Sequence, residues 1–329
     1  MLSILVRSPN WIGDQVIARP FFHALRLAHP HAHIGAACVP WVADLQYRDL
    51  VDEVVVLPSR GLGAAAARLR AARRWDVGVS LPNSFSAAWM LFRAGARERI
   101  GYAAGWRSLL LNHSRPWPRA AKEHRAATYL GLLPPGAPAV ATAGASFNPA
   151  RVWPHANPVA PPPGTYWVAA QGSNAESRRW PPESFAALAR LVVQATGMTG
   201  VVVGGRAEAP LAARLCADPA ARLSDLTARG PASALWRVFG GAKFVVSNDS
   251  GLAHLAALCG APVHVVWGGG DPDVTKPLGP GRVHVHSNAV SCWPCVRNTC
   301  SQPAALKIRC LTGTTSAAVW ESIRAGFSV

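Results

Sequence analysis

The chain has 329 residues, half of them apolar, and a formal net charge of +16. That is enough to bury a large core, and the length suggests two domains; no apolar run reaches the roughly 18–20 residues a bilayer-spanning helix needs. The charge implies attraction to anions such as nucleic acid, anionic lipid or a phosphorylated substrate, with an arginine-rich coding bias as a bland contribution. It is uneven: residues 1–163 hold 18 Lys+Arg against 8 Asp+Glu. The first residues, Met1-Leu2-Ser3-Ile4-Leu5-Val6, lack a basic start and read as a strand, not a signal peptide, so a cytoplasmic location is expected. Residues 4–7 are a strand, residues 8–14 a turn, and residues 15–28 a helix with Val16, Ile17, Phe21, Ala24, Leu25 and Ala28 at helical spacing. Strands are expected at 34–39, 54–57 and 76–81, with a basic helix at 60–74. This is the rhythm of a parallel, doubly wound α/β sheet. The Ala- and Pro-rich residues 137–164 break it as a linker. It restarts with strands at 166–170 and 200–203 and helices at 182–195 and 207–216. Two Rossmann-like halves, residues 1–155 and 156–329, are expected to face a crevice, with the last helix packing back on the first half.

The most informative stretch is Ser247-Asn248-Asp249-Ser250-Gly251-Leu252-Ala253-His254. A strand-like segment, residues 243–246, precedes it, a helical pattern over 252–258 follows, and residues 262–267 are another strand. Such a turn points free N–H groups and the positive end of a helix dipole at an anion. Gly251 permits close approach and Ser250 adds a donor, although an Asp or Ser there also serves as an ordinary cap. At the first strand-to-helix turn, Asn10-Trp11-Ile12-Gly13-Asp14-Gln15 places Asp14 to accept a proton from a bound hydroxyl, or to cap the helix. The loop from Gln171 to Pro182 contains Gly172, Ser173, Asn174, Arg178 and Arg179, suited to a phosphate; without a Gly-Lys-Ser/Thr ending it is not a Walker A loop. Val203-Gly204-Gly205-Arg206-Ala207-Glu208 is a further strand-end turn, where Glu208 is suited to ribose hydroxyls.

Taken together these stretches resemble glycosyltransferase family 9. Gly13-Asp14 followed by Pro20, Arg99-Ile100-Gly101-Tyr102 with Arg107-Ser108-Leu109-Leu110-Leu111, the run Ser177 to Glu183 and the block Gly241 to His254 are similar to its signatures, in order along nearly the whole chain. The resemblance implies a GT-B fold and inverting heptose transfer from ADP-heptose, with no metal or other cofactor required for catalysis. It implies Asp14 as general base. It implies Gly172, Ser173, Asn174, Arg178, Glu208, Asp249, Ser250, Gly251 and His254 as donor contacts, where the family more usually has Lys at position 178. The acceptor is expected to be an anionic glycolipid, Kdo or heptosyl-Kdo lipid A, met by Asn10, Gly13, Arg60, Arg119 and Lys122 in the N-terminal half. The same basic groups are expected to hold a monomeric enzyme at the inner leaflet of the cytoplasmic membrane. Other acceptors within the family, including natural-product scaffolds, and a GT-B-like sugar-nucleotide epimerase or hydrolase are the alternatives.

Nucleic-acid binding is not expected, because the 13 tryptophans are scattered and not interleaved with the basic clusters. Cys292, Cys295, Cys300 and Cys310 form a late cluster suited to a structural Zn or Fe ion, although their spacing fits no standard finger. Cys38, Cys216 and Cys259 sit in apolar contexts and read as core residues.

Overall fold

The computed structural model describes residues 1–118, 122–133 and 147–327. It divides into two compact units, Met1–His155 and Ala156–Val329. The first contains β1 (Ser3–Arg7), α1 (Ile12–Ile17), α2 (Arg19–Ala28), β2 (His33–Cys38), β3 (Glu53–Val56), α3 (Leu62–Ala72), β4 (Val77–Ser80), α4 (Phe85–Arg93), β5 (Glu98–Tyr102), β6 (His113–Arg115), α5 (Arg125–Leu130) and α6 (Pro149–Val152). The second contains β7 (Tyr166–Ala170), α7 (Pro182–Thr196), β8 (Thr199–Val202), α8 (Ala209–Cys216), β9 (Leu223–Asp225), α9 (Trp236–Gly240), β10 (Val245–Asn248), α10 (Gly251–Leu258), β11 (Val263–Trp267), α11 (Pro272–Thr275), β12 (Val283–Ser287), α12 (Arg309–Thr312) and α13 (Ser316–Ala325).

Each unit is built on a six-stranded parallel sheet, ordered β3-β2-β1-β4-β5-β6 in the first and β12-β11-β10-β7-β8-β9 in the second. The orders are the same read from opposite ends. In both, the first strand made lies inside the sheet and the chain then builds outward on either side. β1, β7 and β11 are buried along their whole length, which is why they are near-continuous apolar runs with no alternation. In the first unit Trp75 lies across β2, so close that a Cβ at Gly35 would stand 2.4 Å from its ring. In the second, Trp167 stacks on Phe244 with centroids 5.6 Å apart, and Trp180 meets Phe185 edge-on at 5.0 Å. Val319, Trp320 and Ile323 of α13 join this core beside α7. Each large side chain buried here contributes about 1.5–3 kcal/mol.

The helix expected over 15–28 is two helices. Pro20 has no N–H and its ring cannot follow a straight turn, so α1 stops at Ile17 and α2 starts with Pro20 in its first turn. Part of the expected linker belongs to the first unit, since Val152 and Trp153 are buried and Arg48 N–H donates to the Val152 carbonyl at 3.4 Å. Residues 137–146 of that linker lie outside the described residues.

At the free edge of the second sheet, β11 and β12 bring three histidines together. The His264 and His284 rings stack at 4.6 Å, and His264 Nδ1 lies 3.0 Å from His286 Nε2. Burial, reinforced by the mutual repulsion of the rings, holds His264 down to about 3 and His286 to about 4. Their folded values lie below the unfolded one, so the stabilisation they contribute is present above about pH 6.5 and is lost as pH falls toward 4. His264→Leu is therefore expected to flatten the fall in urea midpoint between pH 7 and pH 4. An unchanged slope would separate this stack from the acid response.

Candidate functional site

In a sheet of this order, loops leaving the first and fourth strands diverge, and the switch point between them is where ligands sit. In the second unit these strands are β7 and β10. The loop over residues 171–180 leaves β7, and Asp249-Ser250-Gly251 leaves β10. Asn248, wholly buried at the end of β10, ties the two together. Its Oδ1 accepts from Trp180 N–H at 2.9 Å, and its Nδ2 donates to the Gln171 carbonyl at 2.5 Å, so one amide fastens both ends of the loop. Ser247 Oγ donates to the Ala170 carbonyl at 3.2 Å, and Ser173 Oγ to the Asp249 carbonyl at 3.2 Å.

Within that frame Arg178 Nε stands 3.3 Å from Asp249 Oδ2, an ion pair whose carboxylate is only 4% exposed. Ser250 is the N-cap residue of α10, yet its side chain makes no capping bond; its hydroxyl lies 3.3 Å from Ser247 Oγ. The capping reading is therefore not what Ser250 does. A helix start faces the switch point with its hydroxyl turned aside and a guanidinium beside it, an arrangement suited to an anion. His254 is buried one turn further along α10. Gly172 packs against Glu208, whose Cγ would stand 2.9 Å from a Cβ at that position. Glu208 Oε2 accepts from Gly205 N–H at 2.8 Å, so this carboxylate already closes its own turn. Asn174 is exposed at the loop tip.

The sequence reading passed over Gly268-Gly269-Gly270, directly after β11. A Cβ at Gly268 would fall 2.0 Å from the Ser177 carbonyl oxygen, and one at Gly270 would fall 2.5 Å from Asp249 Oδ2. Only glycine lets the loop and the buried carboxylate approach the strand end so closely. The run itself was the available signal.

The four late cysteines line one cavity of 290 Å³ behind this loop, with Ser177 and Gly269 in its wall. Among the described residues no three His, Cys, Asp or Glu side chains gather as a metal set, so the expected cluster of Cys292, Cys295, Cys300 and Cys310 is not assembled around one point. The reason lies in other engagements. Cys295 Sγ is 3.8 Å from the Gly269 carbonyl, and Cys300 Sγ accepts from Ile308 N–H at 3.4 Å. Burial, together with Cys295, Cys300 and Cys292 nearby, pushes the Cys310 thiol up. Their loop serves as a brace. Trp293 Nε1 donates to the Gly268 carbonyl at 2.8 Å, Val296 N–H to Gly269 at 2.7 Å, and Lys307 pairs with Glu176 at 2.6 Å. Ser177 N–H donates to the Asn298 carbonyl at 3.1 Å and its hydroxyl to the Arg297 carbonyl.

In the first unit the corresponding switch point lies between β1 and β4. Asp14 stands in the first turn of α1, 24% exposed, with Arg125 Nη1 of α5 at 3.8 Å. The turn that presents it is held by Arg7, which sequence reasoning missed. Buried at the end of β1, Arg7 donates to the Ser8 carbonyl and, at 2.6 Å, to Asn10 Oδ1. Burial pulls its pKa down to about 10, so it remains a cation at neutral pH. An arginine closing an apolar strand was the clue. Gly13 lies beside Asp14 in the same turn. Arg60 and Lys122 are exposed, and Arg119 lies outside the described residues. Arg115, four residues before Arg119, is taken up by the carbonyls of Gly131 and Leu133.

Comparisons with known proteins bear on what such a pair of sites does. The model of glycosyltransferase family 9 (heptosyltransferase) matches residues 64–306. Lipopolysaccharide heptosyltransferase 2 of Escherichia coli (strain K12) is 27% identical over 311 residues, spanning 84% of this chain and 86% of that one. Among solved structures, E. coli ADP-heptose LPS heptosyltransferase II superposes with a TM-score of 0.77 at 21% identity, over 99% of this chain and 98% of that chain. E. coli heptosyltransferase WaaC with ADP superposes with a TM-score of 0.72 at 20% identity, over 99% of both.

Proposed function

The chain belongs to glycosyltransferase family 9 (heptosyltransferase), and from that premise we propose that it moves heptose from ADP-heptose to a hydroxyl of the lipopolysaccharide inner core, on Kdo or heptosyl-Kdo lipid A. Its two parallel six-stranded sheets are the GT-B architecture. The observation that carries the reading is a pairing within one chain. One unit presents a carboxylate at its first strand end, and the other presents an arginine beside a helix start at its switch point.

The chemistry follows from those parts. Asp14 accepts the proton of the acceptor hydroxyl as that oxygen attacks C1 of the heptose. The bond from C1 to the diphosphate oxygen breaks on the opposite face, and ADP leaves with the electron pair. One displacement inverts the anomeric centre. The charge growing on the diphosphate is met by Arg178 and the first-turn N–H groups of α10, so cations and dipoles of the chain do the work of a metal ion. Gly172, Ser173, Asn174 and Gly251 line the phosphate side, with Asp249 holding Arg178 in place. Glu208 faces the ribose and His254 the sugar. Asn10 and Gly13 shape the acceptor side, and Arg60, Arg119 and Lys122 meet its carboxylates and phosphates. The enzyme acts as a monomer at the inner leaflet, on the cytoplasmic side.

The test is mass spectrometry of products from ADP-heptose with Kdo, Kdo-lipid A and heptosyl-Kdo-lipid A, in the presence of EDTA, with the new anomeric configuration read by NMR. A heptosyl mass gain with inversion supports the reading. Consumption of ADP-heptose without any acceptor, or loss of activity to EDTA, counts against it. For the donor site, Arg178→Ala and Ser250→Ala are each expected to weaken ADP binding by about 1–3 kcal/mol in calorimetry. The arginine change is expected to be the larger, since it also strips the buried Asp249 of its cation. Unchanged affinity in both removes the assignment.

A further inference from the structure

One face of the first unit is apolar, exposed and ringed by cations. Phe85, Trp89 and Phe92 follow one another at i, i+4 and i+7 along α4, and Phe85 and Phe92 are about half exposed. Against α4 packs the 3₁₀ turn of residues 105–110, from which Trp106 and Leu109 stand out 80% and 78% exposed. In a 3₁₀ turn residues i and i+3 eclipse, so these two project together. Between them Arg107 points inward and is buried. It donates to Ser80 Oγ at 3.0 Å, to the Pro82 carbonyl at 2.9 Å and to Asn83 Oδ1 at 3.2 Å. The turn is thus anchored from beneath while its two apolar side chains are held outward over a groove of 590 Å³.

The surroundings are cationic. The Arg93 guanidinium lies 5.7 Å from the Trp89 ring centroid, and that of Arg99 lies 5.4 Å from Phe92. Neighbouring α3 adds Arg68 and Arg70, both exposed. Residues 60–99 contain eight arginines and two acids. Apolar patches of this kind on a chain mark an interaction surface. Aromatic rings flanked by arginine suit the layer where acyl chains meet anionic headgroups.

We propose that this face, Phe85, Trp89, Phe92, Trp106 and Leu109 with its surrounding arginines, is the surface that enters the headgroup layer of an anionic bilayer. The proposal deepens the glycolipid-acceptor reading and rests on it for what the bilayer carries. Phe85 follows β4 and Trp106 follows β5, and both leave the same edge of the sheet as Asp14 after β1. At the usual strand spacing β5 lies about 10 Å from β1. A lipid-linked sugar anchored at this face therefore brings its headgroup to the edge that holds the base.

The experiment sediments the full chain with vesicles of phosphatidylcholine alone, or mixed with phosphatidylglycerol. Wild type is expected to bind the mixed vesicles and to bind neutral ones weakly. W106S/L109S is expected to lower the partition by about tenfold or more, with its melting temperature and ADP affinity unchanged. Arg93→Gln is expected to reduce the preference for phosphatidylglycerol. On vesicle-embedded acceptor the Trp106/Leu109 variant loses kcat/KM, while on the water-soluble core sugar it keeps the wild-type value. Equal binding to both vesicle types, undiminished binding by the variant, or a wild-type dimer that the variant breaks apart would overturn the proposal. Normal vesicle binding without heptose transfer to any acceptor would sink the activity reading and leave this surface standing.

Discussion

Asp14→Asn is expected to lower kcat by about 10²–10⁴-fold, the usual contribution of a general base, while ADP binds as before. Asn keeps the size of Asp and its capacity to open a helix, but it takes no proton at neutral pH. Asp14 stands in the first turn of α1, whose N-cap residue Trp11 makes no side-chain cap bond, and Arg125 lies 3.8 Å away and is one-third exposed. An ion pair that open contributes about 0–1 kcal/mol. Kinetics at saturating donor and acceptor, with calorimetry for ADP, separate the roles. A kcat near wild type would return Asp14 to a structural role, and inversion would need another carboxylate from the first unit.

Asn248→Ala is expected to damage both stability and donor binding, although Asn248 is proposed to touch no part of the donor. The substitution strips Trp180 N–H and the Gln171 carbonyl of their shared partner, inside a strand end with no exposure. Each buried group left unpaired costs about 1–3 kcal/mol, to be read from urea unfolding. With the 171–180 loop unfastened at both ends, only a fraction of molecules hold it in the binding geometry, and apparent ADP affinity falls by that fraction. A loop ordered one-tenth of the time gives about a tenfold rise in Kd. Asn248→Asp distinguishes the two bonds: it keeps an acceptor for Trp180 but sets an oxygen against the Gln171 carbonyl. Lower stability with unchanged ADP affinity would mean that Asn248 cements the sheet and does not position the loop.

Much of the architecture was legible because strands buried on both faces announce themselves as apolar runs. Residues 166–170 were read at their observed limits, and α7 within one residue. The strand at 243–246 was placed two residues early, since Ser247 and Asn248 look polar, yet both are buried and spend their polar atoms on the neighbouring strand end. Helix α4 went unread because Phe85, Trp89, Met90, Leu91 and Phe92 leave no polar face for periodicity to detect. At the site, the turns carrying Asp14 and Asp249 were visible as strand-to-helix junctions. What joins them to their surroundings was not. Asn248 and Trp180 are 68 residues apart, and Ser177 and Arg297 are 120 apart, so no local pattern reveals the contact. The cysteine spacing suggested a metal set, whereas the four line one cavity without gathering around a point, and their loop leans on Ser177 and Gly269.

The strand order shared by both sheets has a consequence for the growing chain. In each unit the strand synthesised first is an inner one, so both its edges stay unpaired while the ribosome makes its neighbours. β1 waits for β2 on one side and for β4 on the other, and β7 waits for β8 and then β10. A nascent strand of apolar residues with two open edges is the species most prone to pair with a second chain. Slower translation before residues 77–80, and again before residues 245–248, is therefore expected to lengthen that exposure and raise the share of chains lost to aggregates.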